Sequence, residues 1–321
     1  MNILILSVGT RCKLVHYFKN NTSGFDNVIA TDCSQYAPAI YMADKYYIVP
    51  KMKEPNYFDS IMDICIKEKI DVVLPLQEDE LLLMSKNIYK FKQKGILLVV
   101  SDYETICLCR DKYEMYNFLK EKGIPTVETV LAENARVIMH FGKEVIIKPR
   151  KGAGSVGYMR THSLELISAL VKENCDDLIV QPYMNGREYG VDVYIDIISG
   201  DIISIFCKEK IRMRAGETEK SVSVINDRIE SIVEKIVSVV KFRGPIDIDI
   251  IEYEGRFYVL EINPRFGGGY PHAYECGIDF MKMISTNTKG KINNIEKSGY
   301  KEGVLALKYS EVEILYDKNI Y

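Results

Sequence analysis

The first hundred residues constrain the fold most, because short apolar runs alternate there with amphipathic ones. Ile3 to Val8 is an apolar run, the pattern of a strand buried on both faces. Gly9 ends it, and Arg11 to Asn20 then carries Leu14, Val15 and Phe18 at helical spacing. Val28 to Ala30, Tyr46 to Val49, Val72 to Leu76 and Ile96 to Val100 read as further strands, and Phe58 to Glu68 and Glu80 to Gln93 as helices. Strands alternating with helices imply βαβ units and a parallel sheet. Ligands of such sheets sit beyond the carboxyl ends of the strands, so Ser7 to Thr10 and Leu76 to Glu80 are expected to face one cleft.

A dinucleotide site is the first reading to test against this pattern. Asp32 falls where a ribose-binding carboxylate would lie, but Ser7-Val8-Gly9-Thr10-Arg11-Cys12 has a single glycine. Without the G-x-G-x-x-G turn, Asp32 reads as a strand-end turn residue. Glu78, Asp79 and Glu80 read as the acidic first turn of a helix, with Glu78 kept as a candidate substrate contact. The chain has 321 residues with a net charge of −3, which argues against nucleic acid as a partner. None of the eight cysteines forms a C-x-x-C pair, so reduced, structural thiols are expected. Neither a leader nor a membrane-spanning apolar run is evident, and a cytoplasmic protein is expected.

From Asp111 the character changes. Lys112 to Lys122 reads as a helix stopped by Gly123-Ile124-Pro125. A strand at Val145 to Ile147, a glycine-rich loop, a helix at Ser163 to Glu173 and a strand at Leu178 to Val180 follow. A strand-rich unit then runs through Val191 to Ile197, Ile202 to Phe206, Ile246 to Ile251 and Phe257 to Ile262, interrupted by a helix at Ile225 to Lys241. Phe280 to Tyr321 reads as a helix plus a closing strand. The boundaries expected are 1–105 for an α/β domain, 106–185 for a small lobe and 186–321 for a larger lobe.

Three segments carry chemistry. Lys148-Pro149-Arg150-Lys151-Gly152-Ala153-Gly154-Ser155-Val156-Gly157 follows a strand directly. Its glycines let backbone N–H groups turn inward as a phosphate nest, although a bland glycine-rich hairpin would look the same. The lysine precedes the glycines, so this is no Walker loop. Glu261-Ile262-Asn263-Pro264-Arg265 ends a strand, and Glu261 and Asn263 at i and i+2 share a face. Asp249 adds a carboxylate from the strand before. Hard oxygen ligands of this kind suit Mg²⁺; an outward polar face is the alternative. In Val180-Gln181-Pro182-Tyr183-Met184, the Pro182 carbonyl could accept from adenine N6, the Tyr183 N–H could donate to N1, and Glu188 could take ribose hydroxyls. A surface turn is the plainer reading of that stretch.

The order of these segments is more specific than any one of them. With Ser7-Val8-Gly9-Thr10-Arg11, Asp111-Lys112-Tyr113, Met213 to Thr218 and Glu261 through Tyr274, the chain resembles the ATP-grasp superfamily. It is most similar to short, single-unit proteins related to the large subunit of carbamoyl-phosphate synthase. The resemblance implies an N-terminal parallel-sheet α/β domain followed by a two-lobed α+β fold clamping ATP. It implies that Lys112 and Lys148 bind phosphates, that Gly152, Gly154, Ser155 and Gly157 close over them, and that Gln181, Pro182, Tyr183 and Glu188 hold adenosine. Asp249, Glu261 and Asn263 would hold Mg²⁺ (or Mn²⁺), and Arg265 would meet the transferred phosphoryl group. The implied activity is an ATP-dependent carboxylate–amine ligase working through an acylphosphate, with small-molecule carboxylate and amine substrates and a possible homodimer. Bicarbonate phosphorylation with a separate amidotransferase partner is the alternative, and a non-catalytic nucleotide-binding module a further one.

One departure from the pattern bears on substrate. The bicarbonate-phosphorylating half of that enzyme has a histidine in the segment corresponding to Ile211 to Thr218, where this chain has Arg212, Arg214 and Glu217. Two arginines suit an organic carboxylate, so Arg212 and Arg214, the latter as a catalytic candidate, are expected near substrate; solvated loop charge is the alternative. Gly268, Gly269 and His272 are further substrate candidates. A packed role for His272 and a left-handed-turn role for Gly267-Gly268-Gly269 stay open.

Overall fold

The computed structural model describes residues 1–20, 22–138, 144–152, 157–173, 178–214 and 216–316. The expected Gly154 and Ser155 phosphate contacts lie outside the described residues.

The N-terminal unit contains β1 (Asn2–Ile5), α1 (Cys12–Phe18), β2 (Asn27–Asp32), β3 (Lys45–Ile48), α2 (Tyr57–Lys67), β4 (Val72–Leu74), α3 (Glu78–Lys86), α4 (Ile88–Gln93) and β5 (Leu97–Leu98). Its strands form one parallel sheet in the order β3-β2-β1-β4-β5. Alternation sends Ile3 and Ile5 to one core and Leu4 and Leu6 to another on the opposite face, so the run reads as uninterrupted apolar sequence. The strand order reverses between β1 and β4, and the crevice beyond their carboxyl ends is the expected ligand position. The helix expected at Glu80 to Gln93 is two helices. The Asn87 side-chain amide donates to the Leu83 carbonyl at 2.9 Å and displaces the helical partner of that carbonyl.

Two side chains hold the loop after β1. Asp32 accepts from the Gly9 N–H at 2.9 Å and the Ser34 N–H at 3.0 Å, which is the turn role read from the sequence. Ser7, at φ 48°, donates to Glu80 Oε1 at 2.8 Å; Glu80 also receives the Tyr57 hydroxyl and the Leu76 N–H. Glu80 is fully buried, and burial pushes its carboxyl from 4.5 up to about 7. A folded-state value above the unfolded one means the fold favours the protonated acid. This contribution is complete below about pH 4.5 and is lost as pH rises through about 7, with a slope of up to about 1.4 kcal/mol per pH unit. Glu80→Gln should flatten that part of the stability–pH curve in chemical denaturation; an unchanged slope would refute the assignment.

Next come α5 (Tyr103–Arg110) and α6 (Lys112–Glu121), joined by Asp111, whose side chain caps α6 by accepting from the Tyr113 and Glu114 N–H groups. β6 (Val130–Leu131), β7 (Val145–Pro149), β8 (Met159–Thr161), α7 (Leu164–Glu173) and β9 (Leu178–Pro182) build a four-stranded antiparallel sheet, order β6-β9-β7-β8. The remaining elements are β10 (Arg187–Ile195), β11 (Ile202–Arg214), β12 (Glu217–Ser223), α8 (Asp227–Val239), β13 (Gly244–Tyr253), β14 (Arg256–Asn263), α9 (Tyr270–Glu275), α10 (Phe280–Thr288) and β15 (Leu305–Leu307). They give a six-stranded antiparallel sheet, order β14-β13-β10-β11-β12-β15. Ile229, Ile232, Val233 and Ile236 of α8 cover one face of it, meeting Ile246, Ile248 and Ile250. The opposite face is charged. No helix among the described residues is long and apolar enough to cross a membrane.

Candidate active site

Strand register assembles the charged face. Asp247 lies opposite Asn263 and Asp249 opposite Glu261 on β14. On the other side of β13, Asp247 meets Asp192 and Asp249 meets Gly190, and β11 continues with Phe206 and Lys208. Residues at i and i+2 share a face, so Asp249, Glu261 and Asn263 come together as the sequence suggested. Lys210 Nζ lies 2.6 Å from Asp249 Oδ1, and Lys208 forms a buried ion pair with Asp192. Gly190 makes room for both lysines, since a Cβ there would stand 3.2 Å from each Cε.

The other lobe contributes two lysines. Lys112, at the start of α6, lies 3.1 Å from Glu261 Oε1 and donates to the Gly152 carbonyl at 2.5 Å. Arg150 Nε binds Asp111 at 2.7 Å, tying the glycine loop's base to the capped end of α6. Gly152 and Gly157, at φ 122° and 74°, both use the left-handed region. Desolvation lowers the Lys148 pKa and the neighbouring Lys112 lowers it further, while Glu261, Asp249 and Glu188 oppose the shift. Lys112, Lys148 and Glu188 therefore converge on the carboxylates.

The donor set fits one kind of metal. Among the described residues no three His, Cys, Asp or Glu side chains could hold an ion by themselves. Two carboxylates and an amide suit Mg²⁺, which takes one or two carboxylates and completes its shell with water and phosphate oxygens. Asn263 Oδ1 here accepts from Arg265 Nη2 at 3.2 Å, and lysine ammonium groups neutralise the carboxylates.

The β9 end needs one correction. The Tyr183 N–H already donates to the Glu144 carbonyl at 2.9 Å, so it does not serve as the expected adenine donor. Antiparallel pairs alternate; with 144 and 183 hydrogen-bonded, Pro182 opposite Val145 turns its carbonyl away from β7. Gln181 is buried and donates to Thr129 Oγ1 at 2.8 Å, so its side chain supports the wall. It lines one pocket together with Lys112 and Glu261.

Beyond β14, Arg265 Nη1 donates to the Phe266 carbonyl at 2.9 Å and lies 3.8 Å from Asp247 Oδ2. Burial and the nearby Asp249 and Asp192 raise the Asp247 pKa. The three glycines that follow do not have positive φ, so they are not left-handed turn residues. Two of them are glycine for space: a Cβ on Gly267 would lie 2.6 Å from Asp247 Oδ1, and one on Gly269 2.8 Å from Lys208 Cε. On Gly268 it would meet Glu217 at an ordinary 3.5 Å. Gly267→Ala should therefore destabilise by about 1–3 kcal/mol and Gly268→Ala by less than about 0.5 kcal/mol, read by urea denaturation. Equal costs would contradict this packing account.

Three other expectations change. His272 is buried, with Nδ1 2.8 Å from Ser221 Oγ and Nε2 3.0 Å from the Val304 carbonyl. Both nitrogens are engaged and desolvation lowers its pKa to about 4, so it is a neutral packing group and no substrate contact. Arg212 and Arg214 are exposed on the β11–β12 hairpin and pair with Glu219 at 2.9 and 3.4 Å, the solvated-charge alternative. Glu78 lies in the cleft, its pKa raised by burial and opposed by Lys112 and Arg265. Asp79 instead pairs with Arg110. Besides Arg265, Arg11 reaches the site, its Nη1 lying 3.4 Å from the Phe266 carbonyl; the sequence marks it only as the last residue of the Ser7–Arg11 segment.

Comparison with known proteins agrees with this architecture. Residues 3–99 match the PylC-like N-terminal domain and residues 109–269 the ATP-grasp domain. The carbamoyl phosphate synthase large chain of Clostridium perfringens is 25% identical over 298 residues, covering 85% of this chain but only 26% of that relative. In structure, N5-carboxyaminoimidazole synthetase from Staphylococcus aureus complexed with ADP superposes with TM-score 0.74 at 18% identity, over 95% of this chain and 79% of that one. An L-amino acid ligase from Bacillus licheniformis gives 0.68 at 16% identity, over 91% and 75%. With the ATP-grasp match spanning half of its length and the lysine, glycine-loop and carboxylate elements in that order, the chain belongs to the ATP-grasp family.

Proposed function

We propose that this protein is an ATP-dependent, ADP-forming ligase that activates a carboxylate as an acylphosphate and transfers the acyl group to an amine or similar nucleophile. The observation carrying this reading is the convergence of Lys112 and Lys148 with the Asp249, Glu261 and Asn263 oxygens and Arg265. The relatives named as synthetase and ligase, one of them holding ADP, support it. Lys112 and Lys148 bind the phosphates, with the backbone of Gly152 and Gly157 closing over them. The Pro182 carbonyl takes the adenine amino group, and Glu188 the ribose. Mg²⁺ on Asp249, Glu261 and Asn263 supplies neutralisation of the phosphate charge. Phosphoryl transfer relies on such positioning more than on a protein nucleophile.

In the first step a carboxylate oxygen attacks the γ-phosphorus and the bond to the β-phosphate oxygen breaks, releasing ADP. Arg265 faces the transferred group and stabilises its charge. In the second step the amine attacks the acyl carbon, phosphate leaves, and the amine gives up a proton. Hydroxylamine should replace the amine: ATP, Mg²⁺ and a panel of carboxylic acids should yield a hydroxamate with at least one acid. Failure with every acid, while ATP still binds, would count against an acylphosphate.

A second reading has one observation in its favour, the similarity to carbamoyl phosphate synthase large chains. It predicts bicarbonate-stimulated ATP turnover and an amidotransferase partner. We place the ligase in the cytoplasm as a possible homodimer, a state named for the biotin carboxylase domain of a 2-oxoglutarate carboxylase with the same fold. The working units proposed are 1–105, 106–185 and 186–321.

A further inference from the structure

The loop after β1 ends in a guanidinium that leaves its own domain. Ser7 and Gly9 are both left-handed, and the loop is fixed by Ser7 to Glu80 at 2.8 Å, Gly9 to Asp32 at 2.9 Å and the Arg11 N–H to the Val8 carbonyl at 2.9 Å. From this anchored turn, Arg11 Nη1 reaches the carbonyl oxygens of Phe266 and Gly267 at 3.4 and 3.5 Å. Arg265 Nη1 donates to the same Phe266 carbonyl at 2.9 Å. Two guanidinium groups from different domains thus meet over one oxygen.

Arg11 is poorly paired there. Burial, and then the charge of Arg265, drive its pKa down to about 10, with Glu217 and Asp247 opposing only in part. Among the described residues no carboxylate lies within ion-pair distance of it, whereas Arg265 has Asp247 and Asn263. A guanidinium has five N–H donors, and two long bonds to neutral carbonyls from Nη1 leave the others open to solvent or to a ligand. A half-buried cation with no carboxylate partner is placed to take an anion. Asp247 and Glu217 nearby limit the excess positive charge, which favours a monoanion over a phosphate dianion. A planar carboxylate also matches the guanidinium fork.

We propose that Arg11, together with Arg265, forms a subsite for a substrate carboxylate that is not itself phosphorylated. The substrate is then a small molecule with a free carboxylate besides its reacting group, an amino acid or a dicarboxylic acid. The ligand's standing as a substrate rests on the ligase reading; the anion subsite does not.

Isothermal titration of the full chain tests this with the twenty standard L-amino acids, succinate, malate, bicarbonate and inorganic phosphate, each with and without Mg·ADP. At least one amino acid or dicarboxylate should bind the wild type and its primary-amide counterpart should bind less well. Arg11→Ala should weaken that binding about 30-fold or more, as expected for a buried charge pair, with Mg·ADP affinity changed by less than about twofold. Arg11→Lys keeps the charge without the fork and should lose about tenfold; it decides the matter if Arg11→Ala does not fold. The proposal is overturned if the wild type binds no carboxylate of the panel, binds only bicarbonate or inorganic phosphate, or binds carboxylates equally well after Arg11 is replaced. Absence of Mg·ADP binding to the wild type would instead sink the ligase reading, and the titrations without nucleotide would still report on Arg11.

Discussion

Glu261→Gln is expected to lower ATP turnover by about 10²–10³-fold, the cost of removing one preorganised electrostatic contact from a reacting centre. Glu261 lies opposite Asp249 in register and 3.1 Å from Lys112, and it opposes the fall of the Lys148 pKa. Removing its charge leaves both lysines, so nucleotide affinity should change much less than turnover. The measurement is phosphate release in parallel with nucleotide titration: kcat should fall while the Kd for ATP moves by less than about tenfold. An equal loss in both would mean that Glu261 serves binding alone. Wild-type turnover in the variant would remove it from the site.

Lys208→Met is expected to destabilise the protein by about 3–5 kcal/mol, because it leaves Asp192 buried without a partner. Lys208 and Asp192 are each 1% exposed in their side chains and are paired, and both lie on the face that carries Asp247. Replacing both, as Asp192→Leu with Lys208→Met, should recover much of the loss, since a buried ion pair is often no better than apolar groups of similar volume. Urea denaturation of the four proteins in the cycle checks this. A small cost for the single replacement would show that the pair is solvated in solution.

These two residues also mark how unevenly the sequence displays the molecule. Glu261 was legible because i, i+2 spacing at a strand end has one geometric meaning. Lys208 was not, because nothing local distinguishes a buried lysine from a surface one; only its register beside Asp192 does. The parallel strands were legible for a related reason: Leu4 and Ile5 face opposite cores, which leaves continuous apolar sequence. β12 was missed because Glu217 to Ser223 is polar apart from Val222 and hides its inward Ser221 and Ser223 among charges. The short helix α9 was missed as well, because it follows three glycines of which Gly267 and Gly269 are required for space by Asp247 and Lys208 from distant strands.

Substrate contacts were the least legible part. Arg212 and Arg214 have the composition of a carboxylate site, yet both bind Glu219 on an exposed hairpin. Arg11 sits 254 positions before Arg265 in a different domain, and only the tertiary fold brings them to one carbonyl. His272 was ambiguous between ligand and packing, and its two nitrogens are engaged inside the fold.

The ligase account is tested most directly by phosphate release from Mg·ATP across a matrix of organic carboxylates and bicarbonate against amino acids and ammonia, with Glu261→Ala as the blank. The account predicts stimulation by a specific organic carboxylate–amine pair that vanishes in the variant. Stimulation by bicarbonate alone, or ATP binding without turnover under every pair, would contradict it.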